Sequence, residues 1–164
     1  MDYQSPPEDM SETQHLDEWI EERTRRKILL MVDDDSNLRK VFREYMDDFH
    51  CEFIEAADGD EGLRLFRERD PDFIFLDLRL PKMDGIALFA IIKHEKPHQA
   101  MAILSGYLDD DARATLDAIG YAAKIDKARE LRGPFVTNLL LTFGIPTKKP
   151  KNGDTEHYVR REAS

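Results

Sequence analysis

The sequence predicts an α/β fold in which a five-stranded parallel sheet is covered by helices on both faces. Between residues 27 and 143, short apolar runs alternate with segments whose apolar residues recur at helical spacing. Parallel strands that are buried on both faces have this continuous apolar character, and helices normally connect them. In addition, acidic and hydroxyl residues directly follow several of the runs, at the sheet edge where such folds bind ligands.

Five runs are predicted as strands because they are short, mostly apolar and flanked by turn-forming residues. In chain order they are KILLMV (27–32), CEFIEA (51–56), DFIFLD (72–77), AMAIL (100–104) and a weaker YAAKI (121–125). Their number and spacing indicate one domain with a single sheet.

Four apolar stripes at helical spacing lie between or after these strands. They comprise Leu38, Val41, Phe42, Tyr45 and Phe49; Leu88, Ile91 and Ile92; Ala112, Leu116 and Ile119; and Val136, Leu139, Leu140 and Phe143. Pro134 is well placed for the first turn of the last helix, and Gly144 for its end.

Polar segments flank the predicted sheet at both ends. Residues 1–25 are predicted to form an extension with a short amphipathic helix, in which Ser11 and Gln14 have capping-box spacing. Packing on the domain surface is favoured for this helix over docking or dimerisation. We expect the folded domain to span residues 26–144 and a flexible polar tail to span residues 145–164.

Composition argues against several classes of protein. The formal net charge of -10 disfavours direct DNA binding, because affinity for nucleic acid depends on neutralising phosphates with Lys and Arg. No apolar run has membrane-spanning length, and the polar, acidic start lacks the features of a secretory signal. Cys51 is the only cysteine, so no intrachain disulfide can form, and we expect a cytoplasmic protein.

Residues suited to phosphoryl chemistry follow four of the predicted strands. Asp33 and Asp34 follow the first strand, Asp77 closes the third, Ser105 follows the fourth, and Lys127 lies just beyond the fifth. Clustered carboxylates repel one another, and oxygen ligands of this kind select a hard cation such as Mg²⁺. Beside a metal ion, Asp77 can act as a nucleophile toward phosphorus, and Lys127 would neutralise a phosphoryl oxygen.

The segments ILLMVDDDSNLR and FIFLDLRLPKMDG resemble the receiver domain of two-component response regulators, and the resemblance spans about residues 27–143. In that family an acidic pair ends the first strand, an aspartate ends the third, and a proline and an Asp-Gly pair follow that aspartate. The matching residues here are Asp33 with Asp34, Asp77, Pro81, and Asp84 with Gly85. The resemblance implies a flavodoxin-like, doubly wound sheet with the strand order 2-1-3-4-5.

The resemblance also implies a role for each site residue. Asp34 would bind Mg²⁺ directly and Asp33 through water, while Asp77 contributes a carboxylate oxygen and Arg79 its main-chain carbonyl. Asp77 would accept a phosphoryl group from a sensor histidine kinase or a phosphotransfer protein, and Ser105 would turn its hydroxyl toward that group. The implied protein is a single-domain switch that changes its binding to a downstream protein and is not an enzyme.

The identity of the active lysine depends on the register with the family. From Ser105 onward the sequence runs without a gap when Lys127 is the family lysine, and this register is favoured. The competing register uses Lys124, with Tyr121 as the switch aromatic, and shortens the helix between the fourth and fifth strands by three residues. Ala128 stands where the family usually has a proline with a cis bond, so the loop after the fifth strand is expected to differ.

Two other functions remain open. An aspartate-based phosphohydrolase would usually carry a second acid two residues after the nucleophile, and Arg79 occupies that position. An adaptor with the same fold that signals without phosphorylation is a stronger alternative, because Lys124 and Ala128 depart from the family pattern. The switch is favoured because acids, a hydroxyl and a lysine occur at four strand ends in the family order.

Overall fold

The computed structural model describes residues 17, 20–22, 24–106, 109–127 and 133–148, except for the side chain of Ser105. From residue 27 onward, strands and helices alternate along the chain. They are β1 (Lys27–Val32), α1 (Ser36–Met46), β2 (Cys51–Ala56), α2 (Gly59–Arg69), β3 (Phe73–Asp77), α3 (Gly85–Glu95), β4 (Ala100–Ser105), α4 (Asp110–Ile119), β5 (Ala123–Asp126) and α5 (Pro134–Thr142). The described residues of the N-terminal extension up to Thr24 are helical and exposed, and the rest of its predicted helix lies outside the described part.

The five strands form one parallel sheet in the order β2-β1-β3-β4-β5. The predicted fold class and strand order are therefore confirmed. In this register Val32 lies opposite Leu76, and Ser105 lies opposite Asp126. Because all strands run in the same direction, the residues that follow β1, β3, β4 and β5 gather at one edge of the sheet.

Both faces of the sheet are buried, as the apolar character of the strands requires. Successive residues of β1 point to opposite layers, so Met31 packs beneath α1 and α5 while Leu30 packs beneath the helices on the other face. The first layer includes Phe42, Met46, Val136 and Leu140, and the second includes Phe66, Leu88, Phe89, Ile92 and Leu116. Of the helices that the structure describes, none has the length and apolar character needed to cross a lipid bilayer.

Helix α2 is an element that the apolar stripes do not reveal. Its ends are rich in charged residues, so that only a narrow apolar stripe around Phe66 faces the core. The available signal is at its start, where the Asp58 carboxylate accepts the N–H of Glu61 and the Glu61 carboxylate accepts the N–H of Ala57. This reciprocal arrangement resembles a capping box, which is a marker of helix starts that does not depend on hydrophobic periodicity.

The folded domain extends past residue 144, its predicted C-terminal boundary. Ile145 is fully buried in the layer of α1 and α5. The carbonyl of Pro146 accepts the N–H of His50 at 2.8 Å, and the N–H of Lys148 donates to the carbonyl of Asp48 at 2.7 Å. The prediction is wrong at this boundary because a single apolar residue between polar neighbours produces no periodic signal.

Gly85 begins α3 in close contact with the end of β3. Its N–H donates to the carbonyl of Leu78 at 3.1 Å. A Cβ atom at this position would lie 2.4 Å from the Cα of Leu78 and 2.5 Å from the carbonyl oxygen of Asp77. Both neighbours are backbone atoms, so the glycine is required for α3 to start beside the strand that ends in Asp77.

We expect Ile145→Ala to lower the free energy of unfolding by about 2–5 kcal/mol, since it leaves a cavity in the core layer. The exposed Leu141 of α5 provides a matched control, and Leu141→Ala should change stability by about 0.5 kcal/mol or less. Urea denaturation measures both. Equal losses in the two variants would show that the segment after α5 does not contribute to the core.

We expect Gly85→Ala to destabilise the protein by about 1–3 kcal/mol, because the added methyl group meets backbone atoms that cannot yield. Gly106→Ala is the control, since no atom of the described residues, apart from its chain neighbours, lies within 4 Å of a Cβ built there. Thermal and urea unfolding of the two variants give the comparison. A Gly85→Ala variant as stable as Gly106→Ala would rule out the close approach of α3 to β3.

Candidate functional site

Three aspartates meet at the carboxyl edge of the sheet. One carboxylate oxygen from each of Asp33, Asp34 and Asp77 lies within 4.8 Å of the other two. Asp33 is fully buried and Asp77 is 5% exposed, whereas Asp34 is exposed. The structure thus brings together the three acids that the sequence placed at the ends of two separate strands.

Lys127 lies between two of these acids. Its Nζ is 2.7 Å from Oδ2 of Asp33 and 2.6 Å from Oδ2 of Asp77, to which it donates a hydrogen bond. The side chain must cross the end of β4, because β5 and β3 are not neighbours in the sheet. Lys124 is an exposed residue of β5. The geometry therefore places Lys127, and not Lys124, beside the acids.

Burial and ion pairing determine the charge of this cluster. Burial raises the pKa of Asp33, and this effect outweighs the opposing hydrogen bonds from Lys127 and from the N–H of Asp35. Burial alone would lower the pKa of Lys127, but its hydrogen bonds and charge interactions with Asp33 and Asp77 outweigh burial and raise it. A protonated lysine offsets one negative charge, so ionisation of all three acids leaves the cluster negative and favours a further cation.

The donor set fits a hard divalent ion such as Mg²⁺. All three acids offer carboxylate oxygens, the ligand type that Mg²⁺ prefers. Oδ2 of Asp33 is buried, and the lysine amine lies 2.7 Å from it. A carboxylate oxygen has two lone pairs, so one is left for a metal-bound water. Asp35 also belongs to the acidic run, but its carboxylate caps α1 by accepting the N–H groups of Asn37 and Leu38.

The carboxylate of Asp77 is held in one orientation. Its Oδ1 accepts the N–H of Arg79 at 3.1 Å, while its Oδ2 accepts the hydrogen bond from Lys127 at 2.6 Å. A cleft of about 470 Å³ opens beside it and is lined by Asp34, Asp35, Asp77, Leu78, Arg79, Leu104, Gly106 and Lys127. The cleft is therefore open to an incoming ion or phosphoryl group beside the fixed carboxylate.

Ser105 closes β4 at the same edge of the sheet. Its backbone lies opposite Asp126 of β5, and Gly106, the next residue, lines the cleft. The Ser105 hydroxyl lies outside the described atoms, so its predicted contact with a phosphoryl group stays a prediction. The predicted change in the loop that follows Lys127 likewise falls on Ala128, outside the described residues.

The sequence motifs do not identify Arg39 as part of the site. This residue of α1 donates from Nη1 to the main-chain carbonyl of Asp33 at 2.7 Å, and its Nε lies 3.3 Å from Glu55 of β2. The only signal in the sequence is the position of an arginine one helical turn after Asp35, which caps α1. Its acidic partner, Glu55, lies on a separate element of the fold, and no local sequence pattern predicts an ion pair of this kind.

A family model described as a response regulator receiver domain matches residues 29–132 of the chain. The chain is 30% identical over 114 residues to the "Probable transcriptional regulator ycf27" of Guillardia theta, covering 68% of this chain and 44% of that protein. It is 33% identical over 95 residues to a protein-glutamate methylesterase/protein-glutamine glutaminase of Natronomonas pharaonis, covering 57% of this chain and 26% of that protein. The chain thus spans less than half the length of either relative.

Solved structures show the same fold. The receiver domain of NtrX from Brucella abortus aligns with a TM-score of 0.58 at 27% identity, covering 70% of this chain and 92% of that chain. Chemotaxis protein CheY4 of Vibrio cholerae aligns with a TM-score of 0.60 at 21% identity, covering 72% of this chain and 95% of that chain. Since the family model matches more than half of the residues and the sheet has the same architecture, the chain belongs to the response regulator receiver domain family.

Proposed function

We propose that this receiver domain is a phosphorylation switch in which Asp77 accepts a phosphoryl group in the presence of Mg²⁺. The donor is a phosphohistidine on a sensor kinase or on a phosphotransfer protein. The observation that carries the proposal is the contact of one lysine amine with two carboxylates, 2.7 Å from Asp33 and 2.6 Å from Asp77, at the edge of an open cleft. This arrangement combines a fixed carboxylate with a nearby positive charge.

Asp33, Asp34 and Asp77 would hold the metal ion, which when bound supplies positive charge to the phosphoryl oxygens. An oxygen of Asp77 attacks the phosphorus, the new O–P bond forms as the N–P bond of the phosphohistidine breaks, and the imidazole leaves. The N–H of Arg79 and the amine of Lys127 orient the attacking carboxylate. Positioning and charge neutralisation of this kind provide most of the catalysis in phosphoryl transfer.

The switch that follows acts through the end of β4. A phosphoryl group on Asp77 adds negative oxygens beside Lys127, whose amine is already within reach. Ser105 would turn its hydroxyl toward this group, and the loop after β4 would move with it. The altered surface then gains or loses a protein partner by a shift between two conformations. The partner is a protein, because the net charge of -10 opposes direct DNA binding.

The domain itself would carry out no catalytic turnover and would work in the cytoplasm. The relatives named above are larger proteins, and the chain spans less than half of each. Their transcriptional or methylesterase activity is therefore not carried over to this domain. The shared part is the receiver, whose output depends on the partner it meets.

We expect the full chain to gain the mass of one phosphoryl group when it is treated with acetyl phosphate and Mg²⁺. Asp77→Asn should gain none, because it lacks the nucleophilic carboxylate, and chelation of Mg²⁺ should abolish the gain in the wild type. Asp35→Asn is the matched control, since it lines the same cleft and asparagine caps helices as well as aspartate does. Intact-mass spectrometry measures all four samples.

Each other outcome of this assay identifies a different function. Equal phosphorylation of wild type and Asp77→Asn would refute the assignment of the acceptor. Steady release of phosphate without a stable adduct would indicate a phosphohydrolase. No reaction in the wild type, either with acetyl phosphate or with a phosphorylated kinase, would indicate an adaptor that signals without phosphorylation.

We expect Lys127→Met to slow phosphorylation by acetyl phosphate about 10²-fold, comparable to the loss of one donor that stabilises developing negative charge. Lys124→Met, the same change three residues earlier, should leave the rate within about twofold, because Lys124 lies on the exposed side of β5. Time courses followed by intact mass give both rates. A larger loss with Lys124→Met would revive the competing register.

A further inference from the structure

Arg39 contacts the backbone of the acidic loop rather than its carboxylates. Its Nη1 donates to the main-chain carbonyl of Asp33 at 2.7 Å, and its side chain is only 17% exposed. This carbonyl belongs to the peptide unit that joins Asp33 to Asp34. Since a peptide unit is planar and rigid, a hydrogen bond to its carbonyl also fixes the position of the Asp34 nitrogen and Cα at its other end.

Other contacts hold Asp33 but none of them replaces the one from Arg39. The N–H of Asp33 donates to the carbonyl of Ala56 at 3.1 Å, and Oδ1 of Asp33 accepts the N–H of Asp35 at 2.9 Å. These bonds fix the residue from its N-terminal side and through its side chain. The bond between Asp33 and Asp35 also spans Asp34, but among the described contacts only Arg39 holds the carbonyl of the peptide unit between Asp33 and Asp34.

Glu55 holds Arg39 in this position. Its Oε1 lies 3.3 Å from Nε of Arg39, and its Oε2 lies 2.5 Å from Arg43, one helical turn further along α1. The Glu55 side chain is 17% exposed, so its charge is partly shielded from water. Through this pair, edge strand β2 and helix α1 together fix the loop that follows β1.

We propose that Arg39 is a positioning residue for the metal site. By fixing the peptide between Asp33 and Asp34, it sets both carboxylates in the places where they converge with Asp77. The inference rests on the proposed function, in which these acids bind Mg²⁺. Groups that orient metal ligands without touching the metal typically contribute 10–100-fold in affinity, so the expected effect is measurable.

The charge of Arg39 acts against its positioning role. A guanidinium near the site repels a cation, although Glu55 offsets this charge. Removing the charge should therefore strengthen Mg²⁺ binding, whereas removing the hydrogen bond should weaken it. Arg39→Lys keeps the positive charge. Its single amine, however, cannot replace the two guanidinium nitrogens, of which one contacts the carbonyl of Asp33 and the other the carboxylate of Glu55. Arg39→Gln removes the charge as well, so that weaker binding in this variant cannot be a charge effect.

The test is calorimetric titration of the full chain with Mg²⁺ alone. We expect Kd to rise about tenfold in Arg39→Lys, and to rise in Arg39→Gln as well. Arg43→Lys is the matched control, since Arg43 also pairs with Glu55 but is not in contact with Asp33. Its Kd should stay within about twofold of the wild type. Urea unfolding without Mg²⁺ checks that the variants are folded.

Three results would overturn the inference. A Kd for Arg39→Lys equal to that of the wild type would show that the contact does not position the acids. Tighter binding by Arg39→Gln would show that its charge outweighs any positioning. An equal loss in Arg43→Lys would mean that only the Glu55 network matters. Absence of Mg²⁺ binding by the wild type would instead refute the proposed function, and it is distinguishable from these three results because they all require binding by the wild type.

Discussion

The contact of one lysine amine with two buried carboxylates is the interaction on which the rest of the site depends. Two carboxylates 4 Å apart repel each other by about 4 kcal/mol at an effective dielectric constant of 20, so the cluster needs a compensating charge. Lys127 supplies it to Asp33 and Asp77. It can do so only because the parallel sheet brings the ends of β1, β3 and β5 to one edge, within reach of a long side chain.

The sequence was sufficient to predict the fold and most of the site for the same reason. Strands buried on both faces must be apolar along their whole length, and the residues after them must meet at one edge. Asp33 and Asp77 were therefore predictable from the order of motifs, whereas the choice of Lys127 over Lys124 needed the register with the family. Helix α2, the burial of Ile145 and the contact between Arg39 and Glu55 were not, because each depends on a single residue or on partners distant in sequence.

The matched part of the chain contains the candidate site, but it is only a part of the longer relatives. The residues that gather at the sheet edge occupy the part of the chain that matches the family, from residue 29 to residue 132. Relatives that share this part include a transcriptional regulator and a methylesterase, each more than twice as long as the shared region. The activities in the names of these relatives belong to proteins that extend well beyond the matched region, so that region alone does not determine them.

Helix α1 joins this site to the core. On its buried face, the Phe42 ring packs edge-on against Phe75 with centroids 4.8 Å apart, and Phe75 lies two residues before Asp77 in β3. On the side toward the acidic loop, Arg39 holds the carbonyl of Asp33. One helix therefore positions both the strand that ends in the proposed acceptor and the loop that carries the proposed metal ligands. Loss of either contact would therefore loosen α1 against the site, from the core side or from the loop side.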